Sequence, residues 1–436
     1  MIRFVFAAVI SFVAVLPAKA VEIQEVTSPG GIQAWLVQED SIPFLSLEIR
    51  FLGGSALDPE GKRGVSNLMT ALIEEGAGDL DATAFAEARD GLAASLGFRA
   101  FNDALSVSAR MLTENRDDVV VLLREALVNP RFDEDAIERV RQQVISGIRS
   151  QATDPNAVAS QTFNAMVYGD HPYATDQDGT LESVAALSRE DILAAHQSAI
   201  ARDRVFVGAS GDISADELGL LLDQLLGDLP EQGAPAPGPA EPIVAGGVTI
   251  VPFATPQSVA FFGHPGIPRD DPDFFAAFVA NEIFGGSGLQ SRLSKEVREE
   301  RGLTYGIGSY LVNYDHADML LGQFASANDR VAEAIGVVRD EWSRIAEGGV
   351  TAEELKAAKT YLTGAYPLRF DGNGPIARIL VGMQTTGLTP DYITSRNDRV
   401  EAVTLEDIRR VAMRLYQPEK LQFVVVGQPE GLESTN

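Results

Sequence analysis

The sequence predicts an α+β protein of two homologous domains, each a mostly antiparallel sheet with helices packed on one face. Three observations predict it. Similar segments recur at a nearly constant offset, strand-like segments alternate polar and apolar residues, and a stretch rich in proline and glycine divides the chain near its middle.

The repeat comes first. Leu187-Ser-Arg-Glu-Asp-Ile192 opens a helix, with Ser188 at the N-cap and Asp191 at the third helical position, where its carboxylate can return to the cap. Val403-Thr-Leu-Glu-Asp-Ile408 repeats the pattern, and Asp407 follows Asp191 by 216 residues. Each helix leads into a strand that ends at glycine, Gly211 and Gly427, again 216 apart. Phe132-Asp-Glu-Asp-Ala-Ile137 and Val350-Thr-Ala-Glu-Glu-Leu355 form a third pair at an offset of 218. One duplication explains all three.

Leu105–Met111 and Leu303–Leu311 alternate as half-buried strands do. Helical periodicity runs over 114–128, 133–150, 272–284, 329–346 and 352–364. Half-polar strands suit an antiparallel sheet better than a doubly wound parallel one. Residues 229–247 hold five prolines and four glycines, which favour extended backbone. They are expected to link a first domain, 21–228, to a second, 248–436.

Residues 1–20 have the form of an export signal. Arg3 precedes an uncharged run from Phe4 to Leu16, and Ala18-Lys19-Ala20 is a small-x-small cleavage site. Thirteen residues are too few to span a bilayer, so cleavage after Ala20 would leave no integral membrane segment and a periplasmic protein. Acidic residues outnumber basic ones by 62 to 35, for a net charge of −27, which argues against nucleic acid as a partner. The absence of cysteine excludes disulfides and thiolate chemistry and removes the commonest structural zinc ligands.

Several site types are missing. There is no P-loop, and Gly285-Gly-Ser-Gly288 lacks the lysine that phosphate binding would need; it reads as a tight connection with Ser287 as N-cap. No Gly-x-Ser-x-Gly elbow occurs. His171, His196, His264 and His316 are too far apart for one helix to present two imidazoles to a metal. Asp315-His-Ala-Asp318 reads as a solvated turn between strands.

The most informative segment is 64–78. Val65, Leu68, Met69, Leu72 and Ile73 make one apolar helical face, and Asn67, Thr70, Ala71 and Glu74 lie on the other. Before it comes Gly53-Gly-Ser-Ala-Leu-Asp-Pro-Glu-Gly-Lys-Arg-Gly-Val-Ser-Asn67. Later come Asn129-Pro-Arg-Phe-Asp-Glu-Asp-Ala-Ile-Glu-Arg139, His171-Pro-Tyr173, Phe284-Gly-Gly-Ser-Gly-Leu-Gln-Ser-Arg-Leu293 and Glu296-Val-Arg-Glu-Glu-Arg-Gly-Leu-Thr-Tyr305. In these segments the chain resembles the pitrilysin/insulinase/mitochondrial-processing-peptidase family of zinc metallopeptidases, over nearly all of its length after the leader.

The resemblance implies a clamshell arrangement and a zinc site made by an inverted His-x-x-Glu-His motif with a downstream glutamate. The motif's histidine, glutamate and histidine slots here hold Asn67, Thr70 and Ala71, and the downstream glutamate falls at Ser146-Gly147. Without those ligands no zinc would lower the pKa of an attacking water, so no peptidase activity is expected from this chain alone. The family's arginine and tyrosine, seven residues apart, match Arg298 and Tyr305. By resemblance they reach across the clamshell, hold the substrate backbone and stabilise charge at the scissile carbonyl. A guanidinium fork and a phenolic donor suit those roles. Arg298 is expected in the last turn of a helix over 288–301, with Gly302 as its C-terminal cap and Tyr305 opening the next strand.

These residues lead to the expectation of a non-catalytic subunit in an exported heterodimeric peptidase. A homologous partner would carry the zinc, and unfolded peptides would be the substrate. The alternative is a peptide-binding or assembly scaffold with no peptidase partner.

Overall fold

The computed structural model describes residues 22–286 and 290–435. The expected signal at 1–20 and the Ser287 cap lie outside them.

Two sheets carry the fold. In spatial order the first holds strands Gln24–Thr27, Gln33–Gln38, Val205–Gly211, Phe44–Leu52, Ala104–Leu112 and Ser95–Ala100. The second holds Gly247–Pro252, Gln422–Gly427, Gln257–Pro265, Asp318–Ala327 and Ile307–Asn313. Neighbours are antiparallel except for one parallel pair in each, Gln33–Gln38 with Val205–Gly211 and Gly247–Pro252 with Gln422–Gly427. Apart from the added strand Gln24–Thr27, both sheets have the same order: first, fifth, second, fourth and third strand of their half. The duplication inferred from sequence offsets is therefore also a duplication of topology.

The helices read from periodicity are present within two residues at each end, as Arg116–Val128, Glu134–Gln151, Phe274–Gly285, Val331–Gly348 and Ala352–Ala365. Reciprocal capping boxes close the helix starts at Ser188 with Asp191 and at Thr404 with Asp407. The strand expected over 303–311 begins later, at Ile307.

One face of each sheet packs on helices of its own half. Leu47, Ile49 and Val207 meet Leu68, Leu72 and Leu123 in the first core. Phe262, Phe423 and Val425 meet Phe284, Trp342 and Val411 in the second. The other face of each sheet is covered by a helix from the opposite half. Helix Pro155–Tyr168 lays Ala159, Phe163 and Val167 against Phe261, Leu321, Val424 and Val426. Helix Asn373–Thr385 lays Ile376, Leu380 and Met383 against Trp35 and Val37. This reciprocal exchange buries both faces of strand Gln422–Gly427, which explains its unbroken apolar run Phe423–Val426.

The exchanged helices approach so closely that the sheets need glycine beneath them. A Cβ on Gly208 would lie 2.3 Å from the carbonyl oxygen of Ala377, and one on Gly263 would lie 2.5 Å from the Phe163 ring. Backbone cannot swing aside as a flexible side chain can. Gly208→Val is therefore expected to destabilise the protein by about 2 kcal/mol through overpacking, read as a lower urea midpoint.

The turn around His316 joins two strands as expected, with Asp315 exposed, and it has partners that the sequence did not reveal. It docks on the first half: the Asp315 N–H donates to Asp103 Oδ2 at 3.1 Å, and the His316 N–H donates to Tyr173 Oη at 3.2 Å. The Tyr173 hydroxyl in turn donates to the Asp103 carboxylate. Burial, and secondly the Asp103 carboxylate, push the Asp315 carboxyl up to about 6. A carboxyl raised in the folded state favours folding when protonated. Its contribution is complete below the unfolded value and lost as pH rises through about 6. Asp315→Asn should thus stabilise the protein at pH ~7, by less than about 1 kcal/mol because the residue is exposed and water screens its charge, with the gain fading toward pH ~4. Thermal melts at the two pH values measure it.

Candidate functional site

Helix Val65–Leu72 is held at its start by Asp58, whose carboxylate accepts from the N–H groups of Gly64 at 2.8 Å and Ser66 at 3.1 Å. Its predicted apolar face is buried at all five positions. On the other side Asn67 is half-buried and Ala71 exposed. Thr70 is buried, and its hydroxyl donates to the Ser66 carbonyl at 2.6 Å, so it is turned into its own helix. Gly147 lies exposed on helix Glu134–Gln151, where an added Cβ would meet nothing within 4 Å.

An amide, an inward hydroxyl, a methyl group and a bare backbone do not fit zinc, which takes imidazole, thiolate or carboxylate ligands. Among the described residues no group of three His, Asp or Glu could hold a metal ion. The histidines are engaged elsewhere. His196 Nε2 lies 2.9 Å from the Leu127 carbonyl, and burial depresses His264 to about 4. The His171 and His316 rings lie 5.6 Å apart at the junction of the two halves.

Arg298 lies near the end of Ser294–Glu299, which winds as a π-helix instead of continuing an α-helix to residue 301. Such wide turns are rare and recur at functional sites. Gly302, at φ 60°, ends it: the Gly302 N–H donates to the Arg298 carbonyl at 3.1 Å and the Leu303 N–H to Val297 at 2.9 Å. Thr304 Oγ1 then donates to the Ala325 carbonyl at 2.7 Å and accepts from the Gly306 N–H at 3.2 Å. This bend turns Tyr305 outward, 92% exposed, two residues before strand Ile307–Asn313 and not at its first position as expected.

Arg298 and Tyr305 line one groove of about 800 Å³, beside Asn281 and strand residues from Ile307 onward. Among the described residues, the one carboxylate within 4.0 Å of the Arg298 guanidinium is that of Glu299, at the limit. Asn156, near the start of exchanged helix Pro155–Tyr168, also lines the groove, so the first half contributes to it. Asn67, Thr70, Ala71 and Gly147 do not: the lost metal positions and the Arg298/Tyr305 groove are separate places in this chain. Sequence reasoning missed Asn156, Asn281 and Arg269 as groove residues; none sits in a local pattern that marks it.

The insulinase (peptidase family M16) model matches residues 35–178, and the peptidase M16 inactive-domain model matches 186–362. Relatives include the non-peptidase homolog YmxG of Helicobacter pylori, 23% identical over 88% of this chain and 89% of its own. An uncharacterized zinc protease of Mycobacterium tuberculosis is 25% identical over 92% of each chain. The peptidase M16 inactive-domain structure from Pseudomonas fluorescens superposes with a TM-score of 0.88 at 27% identity, covering 95% of this chain and all of that one. A protease structure from Helicobacter pylori, at 16% identity and a TM-score of 0.84, shares the fold over 93% of this chain and 99% of its own.

Proposed function

The chain belongs to peptidase family M16, as a non-catalytic member of M16 type, and we propose that it is the substrate-holding subunit of an exported heterodimeric peptidase. The observation that carries this reading is the unequal fate of two sites. The metal positions hold Asn67, Thr70, Ala71 and Gly147, while Arg298 and Tyr305 line one groove and leave their donors available. A homologous partner would bring the zinc and the activated water. Arg298 would hold carbonyl oxygens of an unfolded peptide, and Tyr305 would donate to the oxyanion as it forms. Export rests on the leader-like residues 1–20. Among the described residues no helix is long and apolar enough to cross a membrane.

Sedimentation of this chain with a zinc-bearing M16 homologue from the same organism tests the pairing. The expected result is a one-to-one complex in preference to either self-association. The second reading, a scaffold without a peptidase partner, is supported by the relative described as a non-peptidase homolog. A stable homodimer that ignores the zinc-bearing chain would favour it.

A further inference from the structure

A second cavity of about 550 Å³ opens beside the Arg298/Tyr305 groove, and Arg269, Phe274 and Phe278 line both. Its charged lining consists of Arg269, Arg369, Arg378 and Arg396, with no carboxylate among the lining residues. That is the reverse of a chain whose net charge is −27. All of its lining residues belong to the second half, and one wall is helix Asn373–Thr385, which carries Arg378.

Two of the arginines, Arg396 and Arg269, are built into its wall. Arg396 is 5% exposed; its Nη1 donates to the Leu362 carbonyl at 2.7 Å, and its guanidinium stands over the Tyr366 ring at 4.5 Å and the Phe278 ring at 5.5 Å. Burial lowers its pKa, the mark of a cation held out of water. Arg269 Nη2 donates to Tyr392 Oη at 3.3 Å, while its buried Nε has no hydrogen-bond partner. Arg369 and Arg378 are exposed. Arg396, and in part Arg269, are cations held out of water with no carboxylate in the cavity lining, which is unfavourable, and an anion that enters beside them relieves this.

We propose that this cavity binds a carboxylate of the peptide held in the adjoining groove. The inference rests on the peptide-holding reading above. Guanidinium forks match a carboxylate in two parallel hydrogen bonds. The Phe278 and Tyr366 rings offer apolar walls to the carbon chain that carries it. Because the cavities share Arg269, Phe274 and Phe278, one extended chain can occupy both. The carboxylate is either the free C-terminus of the peptide or an Asp or Glu side chain.

Fluorescence anisotropy with three labelled, unstructured peptides tests this on the full chain. One is neutral and C-terminally amidated, one has a free C-terminal acid, and one is amidated with a single Glu. At least one carboxylate-bearing peptide should bind about tenfold tighter than the neutral one, from charge-assisted hydrogen bonds. Which one it is identifies the source of the carboxylate. Arg369→Gln/Arg378→Gln, at exposed positions, should abolish the preference and leave neutral binding intact. Equal binding of all three, or a preference that survives the double variant, overturns the proposal. If the neutral peptide still binds and Arg298→Ala weakens it, the peptide-holding reading survives that failure; if no peptide binds, both fall.

Discussion

Arg298→Ala is expected to lower peptide hydrolysis by the reconstituted pair about a hundredfold, with most of the loss in kcat. The figure is that of removing one preorganised donor from a developing charge. The side chain is 39% exposed and pairs only at 4.0 Å with Glu299 among the described residues, so its removal should leave the melting temperature unchanged. Tyr305→Phe isolates the hydroxyl in the same way. At 92% exposure the ring supports no core, and a loss of rate with unaltered stability would assign the effect to substrate. A variant that binds peptide more weakly but turns it over at the normal rate would instead mean that the residue holds ground state and transition state alike.

Restoring the metal ligands should change zinc binding from none to about one equivalent per chain. Asn67→His/Ala71→His/Gly147→Glu places two imidazoles four residues apart on one helical face and a carboxylate on the adjacent helix, a ligand set of catalytic zinc type. The scaffold is ready for it. The helix is anchored by Asp58 and by a fully buried apolar face, Ala71 is exposed, and Gly147 has open space for a side chain. Thr70 is left alone because it is buried and because, in the motif this helix resembles, the glutamate of that slot serves as the base that activates water and is not a zinc ligand. Metal analysis after dialysis against micromolar zinc measures the outcome. A metal-free triple variant would mean that the positions no longer converge.

Much of this was legible in sequence because it is local. The capping boxes at Ser188 and Thr404 and the apolar face Val65–Ile73 follow from neighbours within eight residues. The constant offset announced a second copy of one topology, and the strand orders repeat accordingly. The exchanged helices were not legible. Helices Pro155–Tyr168 and Asn373–Thr385 owe their positions to sheets of the opposite half, a pairing that no local period encodes. One trace existed, since the unbroken run Phe423–Val426 required a cover on both faces of its strand. The arginine cavity escaped for a similar reason. Arg269, Arg369, Arg378 and Arg396 lie on four separate segments, and each alone looks like an ordinary solvated charge. The π-helix at Ser294–Glu299 moved Arg298 and Tyr305 only slightly from their expected settings, because Gly302 ends the turn as its sequence position suggested.

The proposed division of labour between metal and substrate is tested in one titration. A fixed concentration of the zinc-bearing homologue is mixed with increasing amounts of this chain, and hydrolysis of an unstructured peptide is followed. Hydrolysis should be negligible for each chain alone, rise with added chain and saturate at one-to-one. Full activity of the zinc-bearing chain alone, unchanged by any amount of this one, would contradict a substrate-holding role.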